Sequence, residues 1–299
     1  MNTHPQIVSK GKCIASLCAV LVVLGILLLP GKSMAQTDIS GQSTYTMSDG
    51  GSTATVTVDN SGTLGMNSWA VLGGQNQLNQ QWFWYSINGG ALQPINAISS
   101  ATVYNVNNNP NLNDLAVIYQ NAQLSLSIEY TLSGDGVNSG SADMGESIKV
   151  GNAGGSSINL SFYQYSNFDL LQNNNNSVSI LGAPGAFTGA LQTTGGPGGT
   201  GIGEAILGPN ANDAEAALVP TTFNKLTAGS YVTLDNTTSA GPGNVTWAFQ
   251  WNTTLASGDQ FDLSKDKGLS VQLIPEPSTL ALIALGMGAL GMMLRRKLA

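Results

Sequence analysis

The 299-residue chain is poor in chemistry-bearing side chains, with one His, two Cys and only 9% charged residues. His4, Cys13 and Cys18 all lie near the start, and both arginines, Arg295 and Arg296, lie at the far end. Residues 36–274 therefore contain no His, no Cys and no Arg. That excludes from this segment His-based triads, thiol nucleophiles, His/Cys zinc sites, haem and iron–sulfur ligation, and disulfides. Positive charge is scarce too. Lys149, Lys225, Lys265 and Lys267 face 16 acidic residues there, a net charge of −12 against −7 for the whole chain. Such a balance argues against nucleic acid and anionic membrane surfaces as partners and fits a soluble, self-repelling surface protein.

What is present begins at the two ends. Lys10 and Lys12 precede an uncharged apolar run over residues 13–29, Pro30-Gly31 breaks it, and Ser33-Met34-Ala35 supplies a small-x-small site. This pattern predicts a secretory signal peptide over residues 1–35, cut between Ala35 and Gln36. The competing reading, an uncleaved anchor, rests on the length of the run. Cys18 lies midway through it, which argues against a lipoprotein cut at that point.

The far end carries a second apolar stretch, residues 280–294, followed by Arg295-Arg296-Lys297. As a helix, residues 279–294 span about 24 Å, a short transmembrane segment. The basic cluster behind it is expected to stay cytoplasmic, which leaves the preceding domain on the outer side. Ile274-Pro275-Glu276-Pro277-Ser278 stands just before this stretch, and its two prolines favour an extended backbone. Pro275-Glu276-Pro277, the short apolar helix and the terminal basic cluster together resemble the C-terminal sorting signal of PEP-CTERM proteins. The resemblance implies recognition in the inner membrane by an exosortase, then release to the surface or exopolysaccharide matrix of a Gram-negative-type bacterium. The competing reading is a permanent tail anchor with a proline-bounded linker. The chain thus divides into a leader (1–35), an extracellular domain (36–274) and a sorting tail (275–299).

Local pattern in the middle is β. Leu124, Leu126, Ile128, Tyr130 and Leu132 alternate with Ser125, Ser127, Glu129 and Thr131. Val245, Trp247, Phe249 and Trp251 form a second apolar face, opposite Thr246, Ala248 and Gln250. Residues 52–58, 115–120, 157–165, 231–234 and 269–274 read similarly, separated by Gly, Asn, Ser and Pro. Only residues 213–218 offer a helical turn, closed by Pro220. Many short strands and almost no helix predict an all-β domain, a β-sandwich or jelly-roll-like fold. More faintly, residues 81–85, 162–170, 247–251 and 264–267 resemble an extracellular domain that recurs with this kind of tail, a resemblance that implies no particular activity.

Candidate sites are few. Trp82-Phe83-Trp84-Tyr85 puts aromatics on both faces of one strand. Trp82 and Trp84 are candidates for a sugar-stacking platform, against the alternative of a central strand buried on both sides. Asp143 with Glu146, Asp213 with Glu215, and Asp262 with Asp266 are carboxylate pairs of the type a glycosidase needs, and Glu129 stands alone on a polar strand face. Ca²⁺ is the ion best matched to the oxygen-rich loops around Asp135, Asn138, Asp143, Glu146, Asn167 and Asp169, although no recognised calcium-loop spacing is present. Otherwise no cofactor is expected. The Gly-rich stretch 195–203 lacks the Lys-Ser/Thr of a phosphate loop and reads as a surface loop. The expected function is a non-catalytic surface or matrix protein associated with exopolysaccharide. A carboxylate-dependent glycoside-active enzyme and a permanently anchored protein are the alternatives.

Overall fold

The computed structural model describes residues 36–59, 64–71, 75–195 and 199–271. The expected leader up to Ala35 and the tail from Pro275 to Lys297 lie outside them. Among the described residues no helix is long and apolar enough to cross a membrane.

The all-β expectation is met by two large antiparallel sheets. One has ten strands, in spatial order β1 (Thr37–Asp38), β8 (Thr102–Asn105), β9 (Asp114–Gln120), β10 (Leu124–Gly134), β11 (Ser141–Asn152), β19 (Gln260–Ser270), β15 (Gly201–Gly208), β14 (Gly189–Thr194), β13 (Asn176–Leu181) and β17 (Ser239–Gly243). The other has nine. It runs β16 (Asp213–Leu218), β18 (Val245–Leu255), β12 (Ile158–Phe168), β6 (Leu78–Ile87), β4 (Gly65–Val71), β3 (Ser52–Thr57) and β2 (Thr44–Asp49). Beside β4 and β6 lie the short strands β5 (Gln75–Asn76) and β7 (Gln93–Pro94). One α-helix, α1 (Thr221–Thr227), is present among the described residues.

The ten-stranded sheet follows the period of two that its sequence announces. Leu124, Leu126, Ile128, Tyr130 and Leu132 are buried along β10, while the serines between them face outward. The central strands of the other sheet behave differently. Along β18 every residue from Val245 to Trp251 is buried, so the face of Thr246, Ala248 and Gln250 is closed as well as the apolar one. Their face is covered by α1 and by the segment around Tyr231, Val232 and Leu234. That segment is not the expected strand: it lies across the sheet, where Leu234 N–H donates to Gln250 Oε1 at 3.0 Å and Tyr163 Oη donates to Val232 O at 2.6 Å. Alternating apolar residues suit an extended covering segment as well as a strand.

Two further expectations are corrected. Residues 213–218 are strand β16, paired with β18 from Asp213↔Gln250 to Leu218↔Val245, and not a helical turn. Pro220 opens α1 rather than ending a helix, with Asn224 N–H donating to Pro220 O at 2.9 Å. Proline lacks only an N–H that the first turn leaves unused. The Gly-rich stretch is in part a strand as well, since β15 starts at Gly201.

The two sheets meet over four ionised side chains. Glu146 on β11, Glu204 on β15, and Lys265 and Lys267 on β19 are each no more than 2% exposed. The strand order β11-β19-β15 sets Glu146 opposite Lys265 and Glu204 opposite Lys267. Both oxygens of Glu146 are used: Oε2 lies 2.6 Å from Lys265 Nζ and Oε1 2.6 Å from Lys267 Nζ. Glu204 Oε1 lies 3.3 Å from Lys265 Nζ and 3.2 Å from Lys267 Nζ. The facing sheet supplies the remaining partners. Gln81 Nε2 of β6 donates to Glu146 Oε1 at 2.6 Å, and Gln164 Nε2 of β12 and Trp247 Nε1 of β18 donate to Glu204 Oε2 at 2.9 and 2.6 Å. The Phe83 ring sits 5.0 Å from Lys265 Nζ.

Two carboxylates and two ammonium groups cancel, which is the condition for holding charge in a core. Burial alone would raise Glu146, but the ammonium groups of Lys265 and Lys267 hold its carboxyl down at about 2. Glu204 is lowered as well, its burial outweighed by Lys267 and Lys265. The lysines diverge. Burial, reinforced by the neighbouring Lys267, leaves Lys265 below the ordinary lysine value, whereas for Lys267 the two carboxylates outweigh burial and raise it.

The sign of the acid response follows. A carboxyl whose folded value is depressed contributes stability above its ordinary value of 4.5, lost as pH falls toward about 2. Chemical denaturation as a function of pH should therefore show folding stability falling through this window in the wild type. The double variant Glu146→Gln/Glu204→Gln, which keeps neither depressed carboxyl, should show a shallower fall.

Candidate functional site

The inner cluster decides which way β6 presents its aromatics. Gln81 and Phe83 point at Glu146 and Lys265, so the alternate residues Gln80, Trp82 and Trp84 are directed elsewhere. With Leu64, Leu92, Pro94, Phe223, Leu226 and Thr227 they line a cleft of about 470 Å³. The strand β7 helps shape its wall, with Pro94 opposite Trp84.

The helix α1 is fastened over the sheet by one buried acid. Glu215, 1% exposed on β16, accepts from Thr222 Oγ1 at 2.7 Å and lies 2.5 Å from Lys225 Nζ, which also reaches Asp235 at 3.0 Å. So anchored, α1 lays Phe223 edge-on to Trp84, with ring centroids 6.2 Å apart at 83°, and Tyr165 completes the cluster 6.3 Å from Trp84. Trp82 packs edge-on to Tyr119 at 6.4 Å. Both tryptophans are largely covered, Trp82 at 1% and Trp84 at 4% exposure, so they form the wall of a cleft and not an open platform. The Trp82 indole N–H is buried and has no hydrogen-bond partner among the described residues. The cleft is apolar, with Gln80 and Thr227 as polar groups, the composition typical of small-ligand sites. Trp247 and Trp251 belong to the core.

The candidate acids are dispersed. Asp143 and Glu146 lie on opposite faces of β11, Glu146 inside the quartet and Asp143 outside. Asp213 is held by Asn236 and Asn252 while Glu215 serves α1. Asp262 and Asp266 are four residues apart on β19, about 13 Å along a strand and beyond glycosidase spacing. Glu129 faces outward on β10, diagonal to Asp114 across the β9–β10 ladder. Burial and then the Asp114 charge raise its carboxyl, and Lys149 opposes them. Among the calcium candidates, Asp135 accepts from Ser141 at 2.5 Å and Asp169 from Asn176 at 3.3 Å. No group of three or more His, Cys, Asp or Glu positioned to hold a metal occurs among the described residues.

The quartet has a signal in the sequence that composition does not show. Lys265 and Lys267 fall in phase with Phe261, Leu263 and Leu269, Glu146 with Met144 and Ile148, and Glu204 with Ile202 and Ile206. Charges on the apolar phase of three strands mark a buried cluster.

No curated protein matches the chain. Among solved structures, similarity extends to a putative aldose 1-epimerase from Escherichia coli K12, at 11% identity and TM-score 0.45, covering 80% of this chain and 100% of that one. A galactose mutarotase-like protein from Lactobacillus casei shows 10% identity and TM-score 0.43, over 76% of this chain and 99% of that one. A bacterial glucoamylase complexed with acarbose shows 10% identity and TM-score 0.46, over 82% of this chain but only 32% of its own. At these scores the likenesses carry no functional weight. The family match is specific and lies at the C-terminus, where residues 273–297 fit the PEP-CTERM protein-sorting motif. The chain carries a PEP-CTERM sorting signal, the feature that the Pro275-Glu276-Pro277 segment and the Arg295-Arg296-Lys297 cluster announced.

Proposed function

We propose that the chain is an exported, non-catalytic surface or extracellular-matrix protein whose β-sandwich body binds carbohydrate in the cleft beside Trp82 and Trp84. The sorting motif at residues 273–297 supports export. In this reading the leader is cut between Ala35 and Gln36, and the tail rests transiently in the inner membrane. An exosortase then processes the chain at Pro275-Glu276-Pro277, and it joins the exopolysaccharide. Mass spectrometry of mature material is expected to find a C-terminus lacking Arg295 to Ala299. Mature protein that retains those residues would favour the permanent anchor.

The observation that carries the binding role is the cleft itself. It has room of about 470 Å³, two tryptophan rings in its wall, and Gln80 and Thr227 as polar groups. Aromatic faces pack on the apolar faces of sugar rings, and sparse polar groups fix orientation. Exopolysaccharide fragments should bind the wild type about tenfold or more tightly than Trp84→Ala or Gln80→Ala. Gln80 is only partly buried, so its variant tests the cleft without disturbing the core. Unchanged binding in both variants would remove the cleft from the account. A second reading keeps one specific support, the exposed Glu129 carboxyl raised by burial and by the buried Asp114 diagonal to it. Polysaccharide turnover lost in Glu129→Gln would establish that reading instead.

A further inference from the structure

The quartet holds an amine against an amide. Lys265 Nζ is hydrogen-bonded to Gln164 Oε1, and both side chains are fully buried, one from each sheet. The Gln164 amide nitrogen points the other way, donating to Glu204 Oε2 at 2.9 Å and Ser166 Oγ at 2.9 Å. Glu204 thereby touches both partners, since its Oε1 lies 3.3 Å from Lys265 Nζ, and Glu146 lies 2.6 Å from the same nitrogen. Lys267 is set among the carboxylates, with no amide partner among the described residues. We propose that Lys265 and Gln164 join in an intramolecular isopeptide bond, promoted by Glu146 and Glu204, which staples the two sheets together.

The step balances without any added reagent. Lys265 gives one proton to Glu146, 2.6 Å away, replacing an ion pair by two neutral groups, so the free amine forms with no change in the net charge of the core. The neutral Nζ attacks Cδ of Gln164, so that the Nζ–Cδ bond forms and the Cδ–Nε2 bond breaks. Glu204 carries a second proton from Nζ to Nε2, and ammonia leaves. The third proton remains on the new amide. Afterwards Lys267 alone is cationic, Glu204 is anionic and Glu146 is protonated, so the core stays neutral. One carboxylate instead of two then titrates in the acid window. Of the two lysines, Lys265 is the one whose surroundings disfavour the ammonium form, which agrees with its role as nucleophile.

The placement has a mechanical sense. Lys265 lies on β19, which ends at Ser270, and the sorting motif begins at residue 273. Any pull through the C-terminal tail reaches the domain through β19. Residues 36–274 contain no cysteine, so a disulfide cannot secure that strand. A bond from Lys265 to Gln164 on β12 ties it to the opposite sheet.

The test is peptide mapping of the folded full-length protein by mass spectrometry. Intact mass is not sufficient, because a chain beginning at Gln36 can lose ammonia by cyclising. The wild type is expected to yield a linked pair containing Gln164 and Lys265, lighter than its two peptides by one ammonia. Glu204→Gln and Lys265→Arg are expected to yield no linked pair. Wild-type peptides carrying Gln164 and Lys265 free at full mass would overturn the proposal. So would a link from Lys265 to Glu146 with loss of water.

Discussion

Four charges with no net charge, sealed between two sheets, constrain everything else in this domain. Burying Glu146, Glu204, Lys265 and Lys267 is tolerable only if each meets its partners, since an isolated buried ion costs several kcal/mol. The partners come from six strands: β11, β15 and β19 on one sheet, β6, β12 and β18 on the other. Sliding any of these strands by one residue would turn its contribution to the opposite face. Hydrophobic packing alone tolerates many arrangements, whereas a cluster of this kind accepts one.

That constraint reaches the outside of the protein through β6. Because Gln81 and Phe83 are committed inward, Trp82 and Trp84 are available to the cleft. A second buried acid, Glu215, does the equivalent for α1 and so places Phe223 against Trp84. Two acids that invite a catalytic reading from sequence, Glu146 and Glu215, thus have structural tasks. The surface chemistry is left to a tryptophan-walled cleft and a few outward carboxylates.

How far the sequence could be read depended on which physical signal each segment carried. Strand β10 was plain because one face is buried and the other is not, so polarity alternates strictly. Residues 213–218 misled because a short run with Asp, Glu and three alanines satisfies helical and strand patterns alike, and pairing with β18 decided between them. Nothing local to β18 announces that a segment some 15 residues earlier lies across the face opposite Trp247. Trp82 and Trp84 stood out as residues, but their cleft depends on α1, β7 and Leu64, which only the folded chain assembles. The quartet is written in the phase of its strands, which net charge summed along the chain does not show. The sorting tail was the most readable part, since three ordered chemical features in 25 residues need no tertiary contact to be recognised.

The central claim, that the inner charges act as one unit to fix how the sheets meet, is tested most directly by a double-mutant cycle. Folding free energies of Lys265→Arg, which keeps four charges and cannot form the link to Gln164, and of Glu204→Gln, Lys267→Met and both together in that background, give the coupling between two side chains 3.2 Å apart. The account predicts a coupling of about 1–3 kcal/mol, with the double variant less destabilised than the sum of its parts. Additivity to within about 0.5 kcal/mol would contradict it.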